Sequence, residues 1–341
     1  MKKMKKLLTL ALAAIMVLAL AACGGEPAED PGSVSESAPA SEPAGEPEAA
    51  SYVVGICQLA PHTALDAATQ GFIDTLEAEL GDAVEIKNNN AGGEANNCTT
   101  IIDGYISEGV DLILANATGA LQAAASATAD IPVLGTAVTN YAIALGLDDT
   151  MVEVLGKNIS GTSDLAPLEQ QAAMIQELFP DAATVGLLYC SAEPNSVYQV
   201  EVVQAELEEL GYATEAYAFT DANDLAAVTQ NAADNSDVIY IPTDNTAANN
   251  TEAIANIVIP AGVPVVTGES GLCSGCGVAT LSIDYYELGQ ITGEMAVQIL
   301  TGEAEVSEMA IGYDETVTKM YNAANCEALG ITIPDGYEAI A

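Results

Sequence analysis

Residues 238 to 250 read VIYIPTDNTAANN, and the apolar run Val238 to Ile241 stops at Pro242, where three hydrogen-bonding side chains follow: Thr243, Asp244 and Asn245. A carboxylate beside an amide and a hydroxyl can hold a small polar or cationic solute. Its bond to an ammonium is charge-assisted and contributes roughly 1.5–3 kcal/mol. Comparable groups follow the other strand-like runs. Gln58 and His62 come after the first, Asn90 after the second, Asn116 and Thr118 after the third, and Thr136 and Thr139 after the fourth. In the second half the corresponding places hold Ser191 to Ser196 (with Asn195 and Ser196 opening a helix), Thr220-Asp221 and Glu269-Ser270. Taken singly, each reads as a helix cap, because Ser, Thr, Asn and Asp are the preferred N-caps. Taken together they form a polar rim, since ligands of open parallel sheets sit outside the carboxyl ends of the strands. Asp244 and Asn245 side by side exceed what one cap requires.

Bond-making chemistry has little to work with. The chain has 1 histidine, His62, so any Ser-His-Asp or Cys-His pair depends on it alone. It stands just before a helical pattern, where capping or a place on a loop surface explains it. No cluster of His and Cys has ligand spacing, so the expectation is a protein that is no enzyme and needs neither metal nor other cofactor. Of the 7 cysteines, Cys273 and Cys276 lie in a Gly-rich turn and either close a small disulfide loop or remain thiols; the sequence leaves both open.

Charge narrows the solute. Lys+Arg total 7 against 49 Asp+Glu, a net charge of -42, and there is no arginine. Lys2, Lys3, Lys5 and Lys6 leave only Lys87, Lys157 and Lys319 for the rest of the chain. Such a surface repels nucleic-acid phosphates and gains nothing from anionic lipid. It also disfavours phosphate, sulfate and dicarboxylate ligands.

The first residues run MKKMKK, then an apolar stretch Leu7 to Leu20, then Ala21-Ala22-Cys23, in the order of a secretory signal. The apolar run is shorter than the ~20 residues of a spanning helix. Its Leu-Ala-Ala-Cys end resembles a bacterial lipobox, which implies lipidation of Cys23 and an extracytoplasmic protein anchored to the cell membrane. Residues 1–22 are thus expected to be a lipoprotein signal peptide. Residues 23–50, rich in Pro, Glu, Ser and Ala, are expected to be a disordered acidic tether.

The groups of the polar rim need elements to position them. Near-continuous apolar runs, such as Val110 to Ala115 and Val238 to Ile241, read as parallel strands covered on both faces. Between them Leu65, Ala68, Phe72, Leu76 and Leu80 recur at helical spacing behind the capping box Thr63-Ala64-Leu65-Asp66. One helix is expected to open near Asp164 with Pro167 early in it. Another should open at Asn195-Ser196, with Ser196-x-x-Gln199 as its capping box and Gly211 past its end. The fold class is α/β: two doubly wound parallel-sheet lobes joined by a hinge. Residues 51–162 plus part of 285–312 form one lobe, and 163–283 plus part of 313–341 the other, with crossings near 160 and 284.

The chain resembles the substrate-binding lipoproteins of ABC transporters of the tryptophan/tyrosine type, within the type I periplasmic-binding fold. The residues that carry the likeness include Val54-Gly55-Ile56, Val110-Asp111-Leu112-Ile113, Thr136-Ala137-Val138-Thr139, Gly161-Thr162-Ser163-Asp164-Leu165, Pro194-Asn195-Ser196, Pro242-Thr243-Asp244-Asn245-Thr246 and Ile283-Asp284-Tyr285-Tyr286-Glu287-Leu288-Gly289. The family usually has several Arg and Lys and usually lacks the Cys273 to Cys276 loop. The resemblance implies a monomer that closes on a small solute, an amino acid of aromatic or apolar side chain, and delivers it to the membrane permease subunits of an importer. The lobes would turn about Gly161 to Asp164 and Ile283 to Tyr285. With no guanidinium for a ligand carboxylate, helix N-termini and hydroxyls are expected to serve: the starts at Asn116-Ala117-Thr118 and Asn195-Ser196, and the Thr136 to Thr139 turn. The ammonium is assigned first to Asp244, then to Asp164 or Asp284. Leu59, Pro61 and Tyr285 are expected to line the apolar space. A sugar held by Gln58, Asn116, Asp244 and Asn245 is the alternative, against which stand 0 Trp and 3 Phe.

Overall fold

The computed structural model describes residues 52–148 and 152–340. The signal peptide, Cys23 and the acidic tether lie outside the described residues.

Five strands and four helices come first: β1 (Tyr52–Gln58), α1 (Thr63–Leu80), β2 (Val84–Asn90), α2 (Ala95–Glu108), β3 (Leu112–Asn116), α3 (Thr118–Ala127), β4 (Val133–Thr136), α4 (Tyr141–Leu145) and β5 (Ile159–Ser163). The scheme repeats with α5 (Leu168–Leu178), β6 (Thr184–Cys190), α6 (Pro194–Glu209), β7 (Ala213–Phe219), α7 (Ala222–Asn235), β8 (Val238–Ile241), α8 (Asn245–Ala248), α9 (Thr251–Ala261), β9 (Val265–Thr267), α10 (Ser270–Gly275) and β10 (Ala279–Ser282). The chain ends with α11 (Tyr285–Leu300), β11 (Gly312–Tyr313), β12 (Thr318–Tyr321), α12 (Ala323–Leu329) and β13 (Glu338–Ala339).

These strands form two sheets, ordered β11-β5-β4-β3-β1-β2 and β13-β12-β10-β9-β8-β6-β7. The pairs are parallel except β10 with β12. Alternate residues of β3 face opposite cores: Ile113 and Ala115 pack on one side, Leu112 and Leu114 on the other. β8 does the same with Val238 and Tyr240 against Ile239 and Ile241. A strand buried on both faces has no room for a polar residue until it ends, which is why the apolar runs stop where the rim begins. Register lines up that rim: Gln58 pairs with both Asn90 and Asn116, and Asn116 pairs with Thr136.

The chain passes between the sheets three times: from β5 to α5, from β10 to α11, and from β11 to β12. Asp314, on the third passage, accepts the backbone N–H of Asp284, on the second, at 2.9 Å. α11 lies along α1 on the first sheet. The two backbones approach so closely that a Cβ on Gly71 would stand 2.1 Å from the Tyr286 carbonyl oxygen, and one on Gly289 2.1 Å from that of Ala68.

Local details differ from expectation in three places. Residues 159–163 are not a crossing but a buried strand, paired with β4; the passage starts at Asp164, and α5 begins at Leu168 because the residue ahead of Pro167 is held out of helical geometry. The box at Thr63 does not form: His62 is the N-cap of α1 without a side-chain bond, and Asp66 instead accepts from Gln58 at 2.6 Å. Glu193, not Asn195 or Ser196, is the N-cap of α6, which Pro194 opens, so Ser196 and Gln199 lie inside the helix and are buried.

Candidate functional site

The site grows from the passages between sheets. Ser163, the last residue of β5, donates its hydroxyl to the Thr139 carbonyl oxygen at 2.9 Å, which fixes where the first passage leaves the sheet. Asp164 follows at once and is buried. Tyr285, the first residue of α11, reaches across and donates its hydroxyl to Asp164 Oδ2 at 2.9 Å. Asp164 Oδ1 is buried and has no partner among the described residues. Beside this pair, between the carboxyl edges of the sheets, lies a cavity of about 10 Å³. That is the room of a single water.

His62, Thr139, Asp164 and Tyr285 line the cavity from the first sheet and the passages. Asn195, Asp244, Asn245 and Glu269 line it from the second. The two sides touch directly: His62 Nε2 stands 3.1 Å from Asn245 Oδ1, and Gln199 Nε2 donates to Thr139 Oγ at 3.4 Å. Further out, Thr118 joins Asn195 and Asn245 around a second hollow of about 370 Å³ between the same edges.

The remaining candidates lie elsewhere. Gln58 and Asn116 tie α1 to the sheet: Asn116 donates to the Leu65 carbonyl at 2.8 Å and to the Thr69 hydroxyl at 2.9 Å, and Thr69 donates to Gln58 at 2.7 Å. Thr136 bonds Thr162 and Thr292, each at 3.2 Å, in a buried hydroxyl cluster beneath α11. Ser196 is buried, and its hydroxyl helps to hold the Asp244 carboxyl down against the effect of burial. Asp284 is exposed and caps α11 by accepting from the N–H groups of Tyr286 and Glu287, at 2.9 and 3.2 Å. It is not among the residues that line the cavity.

Burial dominates the electrostatics. Asp244 is pushed up to about 8, by burial first and the neighbouring Glu193 second, while N–H groups of Ala247 and Cys190 pull the other way. Those N–H groups stand 2.8 and 2.6 Å from its two oxygens, so Asp244 also caps α8. Glu269 is pushed up to about 7 by burial against bonds from the Leu272 and Gly271 N–H groups. Asp164 is raised by burial, with Tyr285 and Thr139 opposing. His62 is lowered by burial, which keeps the imidazole neutral. Among the described residues no lysine faces these carboxyls: Lys87 and Lys319 pair with Glu108 and Glu177, both at 2.5 Å, and Lys157 borders a separate hollow on the first sheet. Three buried carboxyl groups therefore surround a cavity that, among the described residues, no lysine lines.

Among the described residues no group of His, Cys, Asp and Glu is arranged to hold a metal ion. Cys273 and Cys276 are buried free thiols rather than a bridge, and the Cys276 thiol donates to the Leu272 carbonyl at 3.4 Å. Two further residues organise the site. Glu193 sits within the Ser191 to Ser196 stretch, and Gln199 donates to the Thr243 carbonyl at 3.4 Å as well as to Thr139 across the gap. An acidic residue directly ahead of Pro194 was the available signal for Glu193. For Gln199 there was none, since its spacing from Ser196 imitates a cap.

Two parallel sheets facing edge to edge across a gap, three connecting passages and a buried polar cavity at the join define a two-lobed solute-binding protein. The family described as ABC transporter substrate binding protein matches residues 53–341, and the chain belongs to it. It is 31% identical over 266 residues to a tyrosine-binding protein of Clostridioides difficile, spanning 77% of this chain and 76% of that one. The structure of an ABC domain in complex with L-Trp from Streptococcus pneumoniae is 32% identical and superposes with a TM-score of 0.79, covering 84% of this chain and 100% of the other. The ligand-free, open structure of a substrate-binding protein with adhesive properties from Clostridium difficile, also 32% identical, covers 85% and 99% at a TM-score of 0.65. At equal identity the present conformation is nearer the ligand-bound relative than the open one, in keeping with the direct contacts across the gap.

Proposed function

We propose that this chain captures a free amino acid between its lobes, outside the cytoplasm and anchored through Cys23, and hands it to an ABC permease without chemically changing it. The observation that carries the reading is the buried cavity ringed by Asp164, Asp244 and Glu269 with no cation of its own. A buried carboxylate is costly unless paired, and an ammonium supplies both the charge and three N–H donors. Asp164 takes the leading role, because its Oδ1 is unpartnered whereas both oxygens of Asp244 already accept backbone N–H groups. The ligand carboxylate falls to the first turn of α1, an 18-residue helix whose N-cap makes no side-chain bond and whose Ala64 and Leu65 border the cavity. Unpaired N–H groups and the helix dipole favour an anion there.

Entry requires the lobes to part, since the cavity as closed holds no more than a water. The ligand then adds its own bonds to both sides, which shifts the balance back to the closed form. The bound solutes named for the relatives, tyrosine and L-Trp, support an aromatic amino acid. Chains that bind sugars share the fold alone, as with an L-rhamnose-bound relative at 14% identity. A thermal-shift screen of the full chain against amino acids and sugars tests the reading. A ligand at ~100 times its Kd adds ~2.7 kcal/mol of stability, and the response is expected for aromatic amino acids. A response to sugars alone would overturn it.

A further inference from the structure

Glu193 accepts more bonds than any cap requires. Its Oε1 takes the Thr246 N–H at 2.8 Å and the Thr246 hydroxyl at 2.7 Å. Its Oε2 takes the Asn245 N–H at 3.0 Å, the Asn245 side-chain amide at 2.8 Å and the Asn195 side-chain amide at 3.2 Å. These last two bonds decide the polarity of the cavity. With the Asn245 amide nitrogen held by a carboxylate, its Oδ1 must be the atom 3.1 Å from His62 Nε2. An amide oxygen only accepts, so Nε2 carries the proton. A neutral imidazole has one N–H, and His62 Nδ1 is then a bare lone pair. Asn195 is locked in the same way: its nitrogen also donates to the Thr243 carbonyl at 2.9 Å, which leaves Oδ1 as the free end. Both His62 Nδ1 and Asn195 Oδ1 are buried without partners among the described residues, and both residues border the cavity. Asn195 is 5% exposed.

His62 and Asn195 thus add two acceptors to the cavity that Asp164 also borders. Granting the amino-acid reading above, the ammonium takes Asp164, and the two further acceptors call for a second donor on the ligand. We propose that Glu193 is a positioning residue that turns His62 and Asn195 into ligand-facing acceptors, so that the site selects amino acids whose side chain carries an N–H or O–H donor. A site built to bond such a group rejects the analogue that lacks it, because its buried acceptors are left unpaired.

The chain has 1 histidine, so the imidazole of the untagged full chain gives a single set of ¹⁵N resonances. Near neutral pH, without ligand, these are expected to show the proton on Nε2 in the natural protein and a mixture of tautomers in Glu193→Gln. Calorimetric titration compares L-tyrosine with L-phenylalanine and L-tryptophan with its 1-methyl derivative. Loss of the donor is expected to weaken binding about ten- to a hundredfold, and Glu193→Gln to shrink that ratio severalfold. A proton on Nδ1 in the natural protein, or phenylalanine binding within twofold of tyrosine, overturns the assignment while leaving amino-acid capture intact. No binding by any of the four overturns amino-acid capture and the assignment together. If Glu193→Gln fails to fold, the tautomer and the ligand ratios of the natural protein still decide.

Discussion

The Tyr285 hydroxyl donates to Asp164 Oδ2 at 2.9 Å, joining two of the three passages between the sheets at the wall of the cavity. One oxygen of Asp164 is thereby held by the protein, and the other has no partner among the described residues. Replacing Tyr285 with Phe keeps the ring packed and removes only the donor. Amino-acid affinity is expected to fall about tenfold, the scale of one hydrogen bond to a charged group. Calorimetric titration measures it, and an unchanged Kd would show that the bond does not orient Asp164.

Asp164→Asn removes a buried carboxyl that burial has already raised. In the absence of ligand the variant should be at least as stable as the natural chain, because the group it removes is costly to bury and, in the proposed role, serves binding rather than packing. Denaturant titration without ligand gives the comparison. A loss of more than ~2 kcal/mol would make Asp164 a structural residue.

Stability and affinity should depend on pH in opposite senses. Asp244 and Glu269 are held at about 8 and about 7 in the folded chain, above ordinary carboxyl values. Between roughly pH 4 and 8 the folded state binds more protons than the unfolded one, so stability from these groups is full at the low end and is lost as pH rises through the folded values. The slope is up to about 1.4 kcal/mol per pH unit for each proton. An ammonium ligand favours the charged carboxylates, so binding should release protons and tighten as pH rises towards 8. Titration at pH 6.5 in two buffers of different ionisation enthalpy reads the release directly, and a heat independent of buffer would argue against it.

At the crossing of α1 and α11 the backbones leave no room for a methyl group, as the 2.1 Å clearance at Gly289 shows. Gly289→Ala is expected to push α11 outward and cost about 1–3 kcal/mol. α11 also carries Tyr285, so affinity should fall along with thermal stability. A variant with the melting temperature of the natural chain would mean that the helices separate freely.

Much of the architecture was legible because parallel strands buried on both faces have an unmistakable apolar texture. The apolar run Val238 to Ile241 has the same ends as β8. The short buried strand 159–163 lacks that texture, because Ser160, Gly161, Thr162 and Ser163 imitate a loop; the Ser and Thr hydroxyls are satisfied inside the fold, as Thr162 is by Thr292 at 2.7 Å. At the site, sequence could place polar groups at strand ends but could not tell which way each would turn. Asn116 and Thr136 face inward to brace α1 and α11, respectively, whereas Asn195 and Asp244 face the gap. Gln199 was hidden by its spacing from Ser196. What aims it at Thr139 is a contact 60 residues away in the chain, which no local pattern records.

The central claim is that a small zwitterion is gripped between the lobes by buried carboxylates without any arginine. Its most direct test is calorimetric titration of L-tyrosine and L-tryptophan into the full natural chain and into Asp164→Asn. The natural chain should bind one molecule saturably, and the variant at least about tenfold more weakly while remaining folded. Equal affinity in the two proteins, or heat from sugars but from no amino acid, would contradict it.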